Sequence, residues 1–256
     1  LKSQFGTMGK PYNAGIAAAN AIEACGLARR GFTSAVDGLG GPQGFVPAHH
    51  PQHDSSEAIL PDGSETSFMF ADVRHKLHAC CHGAHAMIEG LRNLVAAHDI
   101  TAQNLAALSI RVNPRWLKVC DIKAPRTGLE VKFSYVFLAA MVLHHIDTAA
   151  YQSYDDSICG DAGLIATASK ITVIGDEAIS DGAVNVSADT QTGVRHTTDF
   201  DLMDPIDLSV LGPRLVAKAS VLIGPARAEK IWESMDDLDS MPAAQMARCL
   251  QPLQNA

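Results

Sequence analysis

Apolar and polar residues alternate in three short segments, all in the middle of the chain: Leu108, Ile110 and Val112 in "LSIRVNP", Ile171 and Val173 in "KITVIG", and Val184 and Val186 in "AVNVSA". A period of two marks half-buried strands, the first ended by Pro114. Elsewhere the period is helical. From Asn13 to Arg30, "NAGIAAANAIEACGLARR" is free of proline, rich in alanine and closed by Gly31, as a helix with a glycine stop should be. Its small side chains predict close packing on other helices. "HAMIEGLRNLVAAH" sets Met87, Leu91, Leu94 and Val95 on one helical face, and a further helix is predicted in "KFSYVFLAAMVLHHI". After Pro205, "LVAKASVLIG" and "ARAEKIWESMDDL" are helical again, separated by Gly224 and Pro225, and "MPAAQMARCLQPL" is predicted as a last short helix. A Gly- and Pro-rich stretch without period, between Gly38 and Phe70, marks a long connection or boundary. The expected class is therefore α+β. Residues 1–70 form one helical part, 71–204 an α+β domain, and 205–256 a helical segment returning to pack on the first part.

With 256 residues, 47% of them apolar, the chain can bury one large core or two smaller ones. A net charge of −8, with no clustering of Lys and Arg among aromatic residues, argues against a nucleic-acid partner. No apolar run reaches the roughly 18 residues of a membrane span, and Leu1 to Lys10 lacks the pattern of a signal peptide. A cytoplasmic location without membrane attachment is the expectation. Six cysteines in a chain of this length are too sparse for a disulfide framework, and adjacent Cys80 and Cys81 are awkward to bridge to each other, which fits a reducing compartment. Since the chain runs from Leu1 straight into "LKSQFGTMGKPYNAG", which has the density of an active-site loop, a further part is expected to precede it. A truncated, non-catalytic product is then one reading of the chain.

The densest chemistry lies in "KLHACCHGAH", residues 76–85. A zinc site on His78, Cys81, His82 and His85 is one reading, with His82 and His85 sharing a helical face, but the second ligand pair usual for structural zinc is missing. A redox role for Cys81 at a helix start lacks a resolving thiol at the usual spacing, because Cys80 is its direct neighbour. For His75 and His78 a packing role is expected. A third reading is an anion-binding corner, in which Lys76 supplies charge and the following helix start turns backbone N–H groups toward the same spot. Lys10 in "GTMGKP" offers a second point charge on a tight turn, with Thr7 as a hydrogen-bond donor.

In order and spacing, "GTMGKPYNAGIAAANAIEACGLARRGFTSA", "KLHACCHGAHAMIEGL" and "VKFSYVFLAAMVL" resemble the second half of the MmgE/PrpD family, whose members include 2-methylcitrate dehydratase, cis-aconitate decarboxylase and iminodisuccinate epimerase. The resemblance runs from about Gly6 to the C-terminus. It implies a helical domain carrying an inserted α+β lid, with the C-terminal helices returning to the helical domain. It also implies a homodimer, a small di- or tricarboxylate as substrate, and catalysis without metal or other cofactor. Carried over by position, it assigns Lys10 and Lys76 to the catalytic machinery and Thr7, Cys81 and Ser134 to substrate binding. The general base is left open between His82, Cys81 and a histidine from outside this chain. Three positions depart from the family pattern: Phe137 stands for a tyrosine, Ala79 for a proline, and Asn13 for a histidine seen in some members. Dehydration, decarboxylation and epimerisation all remain open.

Overall fold

A computed structural model of the chain describes residue 4, residues 7–50 and residues 73–251. The chain divides into two units, Leu1–Arg74 and His75–Ala256. Most of the stretch read as a connection, residues 51–72, lies outside the described residues.

In the first unit α1 spans Gly9–Arg29 and α2 spans Phe45–His49. α1 starts earlier than the sequence predicts, so Lys10 and Pro11 lie in its first turn rather than on a turn before it. Proline is tolerated there because the N–H it lacks has no partner within the helix. At the other end the prediction holds: Gly31 takes φ +84°, and its N–H donates to the Ala28 carbonyl at 3.0 Å. α1 buries no residue, and Tyr12, Ile16 and Ile22 are exposed, so the expected packing of its small side chains is not seen among the described residues.

The second unit is α+β, as the sequence order implies. Its helices are α3 (His85–His98), α4 (Leu117–Cys120), α5 (Gly128–Val131), α6 (Tyr135–Leu143), α7 (Ala162–Ala168), α8 (Leu208–Ile223), α9 (Pro225–Glu233) and α10 (Ala243–Cys249). Its strands are β1 (Leu105–Val112), β2 (Ile171–Gly175), β3 (Ala183–Thr190) and β4 (Arg195–Asp201), in the sheet order β2-β1-β3-β4. β1 runs parallel to β2 and antiparallel to β3, and β3 is antiparallel to β4. A parallel pair needs a long crossover. Here the chain between β1 and β2 supplies it and contains α4 to α7.

Sequence patterning anticipated β1, β2 and β3 but not β4. That strand reads "RHTTDFD", with Phe200 its single large apolar residue, and it forms by pairing along β3 rather than by burying a face of its own. α3 packs across β3 and β4. Behind it lies α6, every residue of which is buried. Met87, Ile88, Leu91 and Leu94 of α3 join Leu138, Met141 and Leu143 of α6 and Leu108, Ile110 and Val186 of the sheet in one core. Each such side chain contributes about 1.5–3 kcal/mol when fully buried. The segment before α3 leads directly into this core.

Candidate functional site

Residues 76–85 form an irregular strap that ends in a single 3-10 turn, His82–Ala84, feeding directly into α3. Hydrogen bonds to its backbone tie the strap to later parts of the chain. Ala79 N–H donates to the Thr148 carbonyl at 2.9 Å, and Cys81 N–H to the Lys132 carbonyl at 3.0 Å. Tyr135 Oη donates to the Gly83 carbonyl at 2.7 Å. Lys218 Nζ of α8 donates to the Lys76 carbonyl. Gly83 lies under the Trp116 ring, where a Cβ would collide with the indole. The strap thus has a fixed path, and its ties bring in residues from far along the chain.

His78 is buried and fully partnered. Its Nε2 lies 2.9 Å from Glu89 Oε1 and its Nδ1 2.7 Å from Thr148 Oγ1. Burial pushes the imidazole below its ordinary pKa in spite of the carboxylate, so at neutral pH Nε2–H donates to Glu89 and Nδ1 accepts from the threonine hydroxyl. Arg214 Nη2 reaches both Glu89 oxygens at 2.7 Å. Burial works against the Glu89 carboxylate, but hydrogen bonds from His78 and Arg214 outweigh it and bring its pKa down to about 2. The packing role expected for His78 is what the geometry gives it, and His75 is exposed. Both ring nitrogens of His78 are engaged. Among the described residues no group of three or more His, Cys, Asp or Glu side chains is arranged to hold a metal ion.

Around the strap the charge is positive. Lys76 is exposed at its start, while Lys132 and Lys218 are half-buried. Lys132 Nζ sits 4.7 Å from the Tyr151 ring centre and 4.9 Å from that of Tyr154. Burial, followed by the nearby Lys76 charge, lowers the pKa of Lys218; Lys132 is also lowered by burial, with Lys76 adding to it. Among the described residues no carboxylate forms an ion pair with any of these three lysines. A chain of net charge −8 has three ammonium groups here without a counter-ion among the described residues.

The histidines beside them are kept neutral. His82 is half-buried, and burial together with Lys76 lowers its pKa. His85 is 1% exposed, its Nε2 has no hydrogen-bond partner, and its ring lies 5.1 Å from His78 and 5.5 Å from His82 between centres. Burial first, then the neighbouring His78 ring and the Lys76 charge, push its pKa to about 2. Cys80 is no nucleophile, because burial raises its thiol to about 12. Cys81 is partly buried, and its hydrogen bond with Cys120, added to burial, pushes the Cys120 thiol up. None of the six cysteines forms a disulfide.

These protonation states make stability depend on pH. An imidazole whose folded pKa lies below its unfolded value of 6.5 stabilises the fold above that pH, and the stabilisation is lost as pH falls below it. His78 and His85 both act this way, and each is expected to cost roughly 1.4 kcal/mol per pH unit once only the unfolded chain takes up its proton. Glu89 adds its own loss between pH 4.5 and about 2. Melting curves between pH 7 and pH 5 are expected to show a steadily falling midpoint. A flat profile over that range would contradict the sealed, neutral state of the two rings.

Of the residues singled out from the sequence, Lys76, Cys81 and His82 come together on the strap. Thr7 and Lys10 lie in the first unit, where Thr7 Oγ1 donates to the Gln4 carbonyl at 2.9 Å and Lys10 is exposed. Ser134 is buried, and its Oγ accepts from Phe137 N–H at 3.3 Å as the N-terminal cap of α6. Phe137 is a core residue. Sequence reasoning missed Lys218, Arg214 and Glu89. Glu89 carried a signal, a lone carboxylate between Ile88 and Leu91 on an apolar helix face.

A cleft of about 610 Å³ lined by Arg92, Asp99, Thr101, His145 and Asp147 among others lies where α3 and α6 end. Helix C-termini and two aspartates disfavour an anion there.

No curated protein matches the chain. Residues 78–202 match the family model described as the MmgE/PrpD C-terminal domain, a span that holds most of the strap, α3, α6 and the whole sheet. This stretch, just under half of the chain, is thus similar to the MmgE/PrpD C-terminal domain.

Proposed function

We propose that the protein is a lyase of the MmgE/PrpD type, 2-methylcitrate dehydratase-like, acting on a small di- or tricarboxylate without a cofactor. The observation that carries this reading is Lys76, which acts on a neutral, partly accessible histidine and on two further lysines, with no carboxylate among the described residues paired to any of the three. Two carboxylates of a substrate would neutralise Lys76 and its neighbours. His82, uncharged at neutral pH because of burial and Lys76, would take a proton from the carbon beside a carboxylate. The electron pair left behind moves into that carboxylate, where the ammonium groups stabilise the added charge. It then expels hydroxide from the adjacent carbon, and the hydroxide leaves as water with a proton, so that an alkene and one water replace the hydroxy acid.

Epimerisation uses the same intermediate, reprotonated on the opposite face. In a decarboxylase the electron pair comes instead from the bond to a departing carbon dioxide, and a proton fills the vacated position. An iminodisuccinate epimerase-like or cis-aconitate decarboxylase-like activity therefore needs no different charge arrangement. Cys81 and Thr7 are proposed as substrate contacts, Lys10 as a further catalytic cation, and Ser134 as the cap that fixes the start of α6 behind Lys132. Residues 1–70 and 205–256 are proposed to belong to a helical domain, residues 71–204 to its lid, and the active unit to be a homodimer.

The test is to incubate the protein in D2O with 2-methylcitrate, cis-aconitate or iminodisuccinate and follow proton NMR spectra. Conversion, or deuterium appearing beside a carboxylate, is expected for one of the three. Unchanged spectra for all three would sink the reading.

A further inference from the structure

We propose that Lys218 is a substrate-binding residue, the third ammonium of the anion site, delivered by α8 from outside the segment that matches the family. The proposal rests on the functional reading above and adds a specificity-determining group to it. Arg214 and Lys218 are four residues apart on α8 and so share one face of the helix. Arg214 is clamped to Glu89 through both carboxylate oxygens, and Glu89 is held in turn by His78. This clamp fixes the rotation and height of α8 against α3, and one turn further on it sets Lys218 against the start of the strap.

An ammonium has three donors, and Lys218 spends one on the Lys76 carbonyl. Two remain. Lys218 is also half-buried beside a second ammonium, Lys76, and no carboxylate among the described residues pairs with either. Two like charges held close together repel each other, and an anion between them relieves that repulsion. A purely structural anchor for the Lys76 carbonyl would need only a neutral donor. The charge is explained by an anion bound between the two lysines, and with Lys132 the site favours a substrate bearing three carboxylates over one bearing two.

Calorimetric titration with citrate and with succinate tests this on the wild-type protein and on Lys218→Met, Lys218→Gln and Lys218→Arg. Lys218→Met is expected to weaken citrate binding by about tenfold or more, the usual loss for a hydrogen bond to a charged group, and to weaken succinate less. Lys218→Gln keeps an N–H donor without the charge and is expected to behave like Lys218→Met, whereas Lys218→Arg should retain most of the affinity. Thermal melting separates an unfolded variant from a folded one with a damaged site. Wild-type citrate affinity in a folded Lys218→Met or Lys218→Gln protein would overturn the role of Lys218 and leave the functional reading standing. No citrate binding by the wild-type protein would overturn both.

Discussion

Glu89→Leu is expected to destabilise the protein by about 3 kcal/mol, seen as a lower denaturation midpoint with an unchanged slope. The substitution leaves the His78 Nε2–H and the Arg214 guanidinium without an acceptor, in a place where the carboxylate side chain is only 9% exposed. Breaking one member of a buried ion pair costs about 3–5 kcal/mol, because the partner keeps its desolvation penalty and loses its compensation. The lower end applies here, since the Arg214 side chain retains 34% of its exposure and can recover some hydration. A second replacement, Arg214→Met in the Glu89→Leu background, removes the orphaned cation and should restore part of the loss, giving a coupling energy that distant sites do not show. A midpoint unchanged in Glu89→Leu would mean that α8 is held by something other than this clamp.

The clamp also shows why half of the site escaped the sequence. Arg214 lies 125 residues from Glu89, and Lys218 lies 142 from Lys76. No local spacing encodes such pairs. A basic residue on α8 reads as a solvated one until the fold shows what faces it. The strap was different, because its lysine and histidines are neighbours in sequence and meet at one helix start whatever the rest of the chain does. α3 and the strands β1 to β3 were readable for a related reason, since their periods follow from one buried face. β4 has no such face, and its existence depends on β3 offering an unpaired edge. The early start of α1 was hidden by Pro11, which reads as a break although it is allowed in a first turn. Ser134 was visible as a polar residue ahead of an apolar run; its use as a helix cap appears only once α6 is seen to begin at Tyr135.

Lys76→Met is expected to cost far more in activity than in stability. The Lys76 side chain is exposed, and its fixed contact with α8 is made through the backbone carbonyl, which the substitution keeps. What is lost is the cation that acts on His82, at the moment negative charge develops on the substrate carboxylate. Removing one such stabilising group typically lowers turnover by about 10²–10³-fold. It should also let the His82 imidazole titrate closer to its ordinary value, since Lys76 is one of the two causes that depress it. The acid limb of the rate profile is then expected to move to higher pH in the variant, a change that a purely structural lysine would not produce. The decisive measurement is kcat/KM for 2-methylcitrate across pH in wild-type and Lys76→Met protein, with melting temperatures taken on the same samples. A fall of about a hundredfold or more is expected, with the acid limb displaced upward and the melting temperature nearly unchanged. Wild-type kcat/KM and an unmoved pH profile in a folded Lys76→Met protein would contradict it.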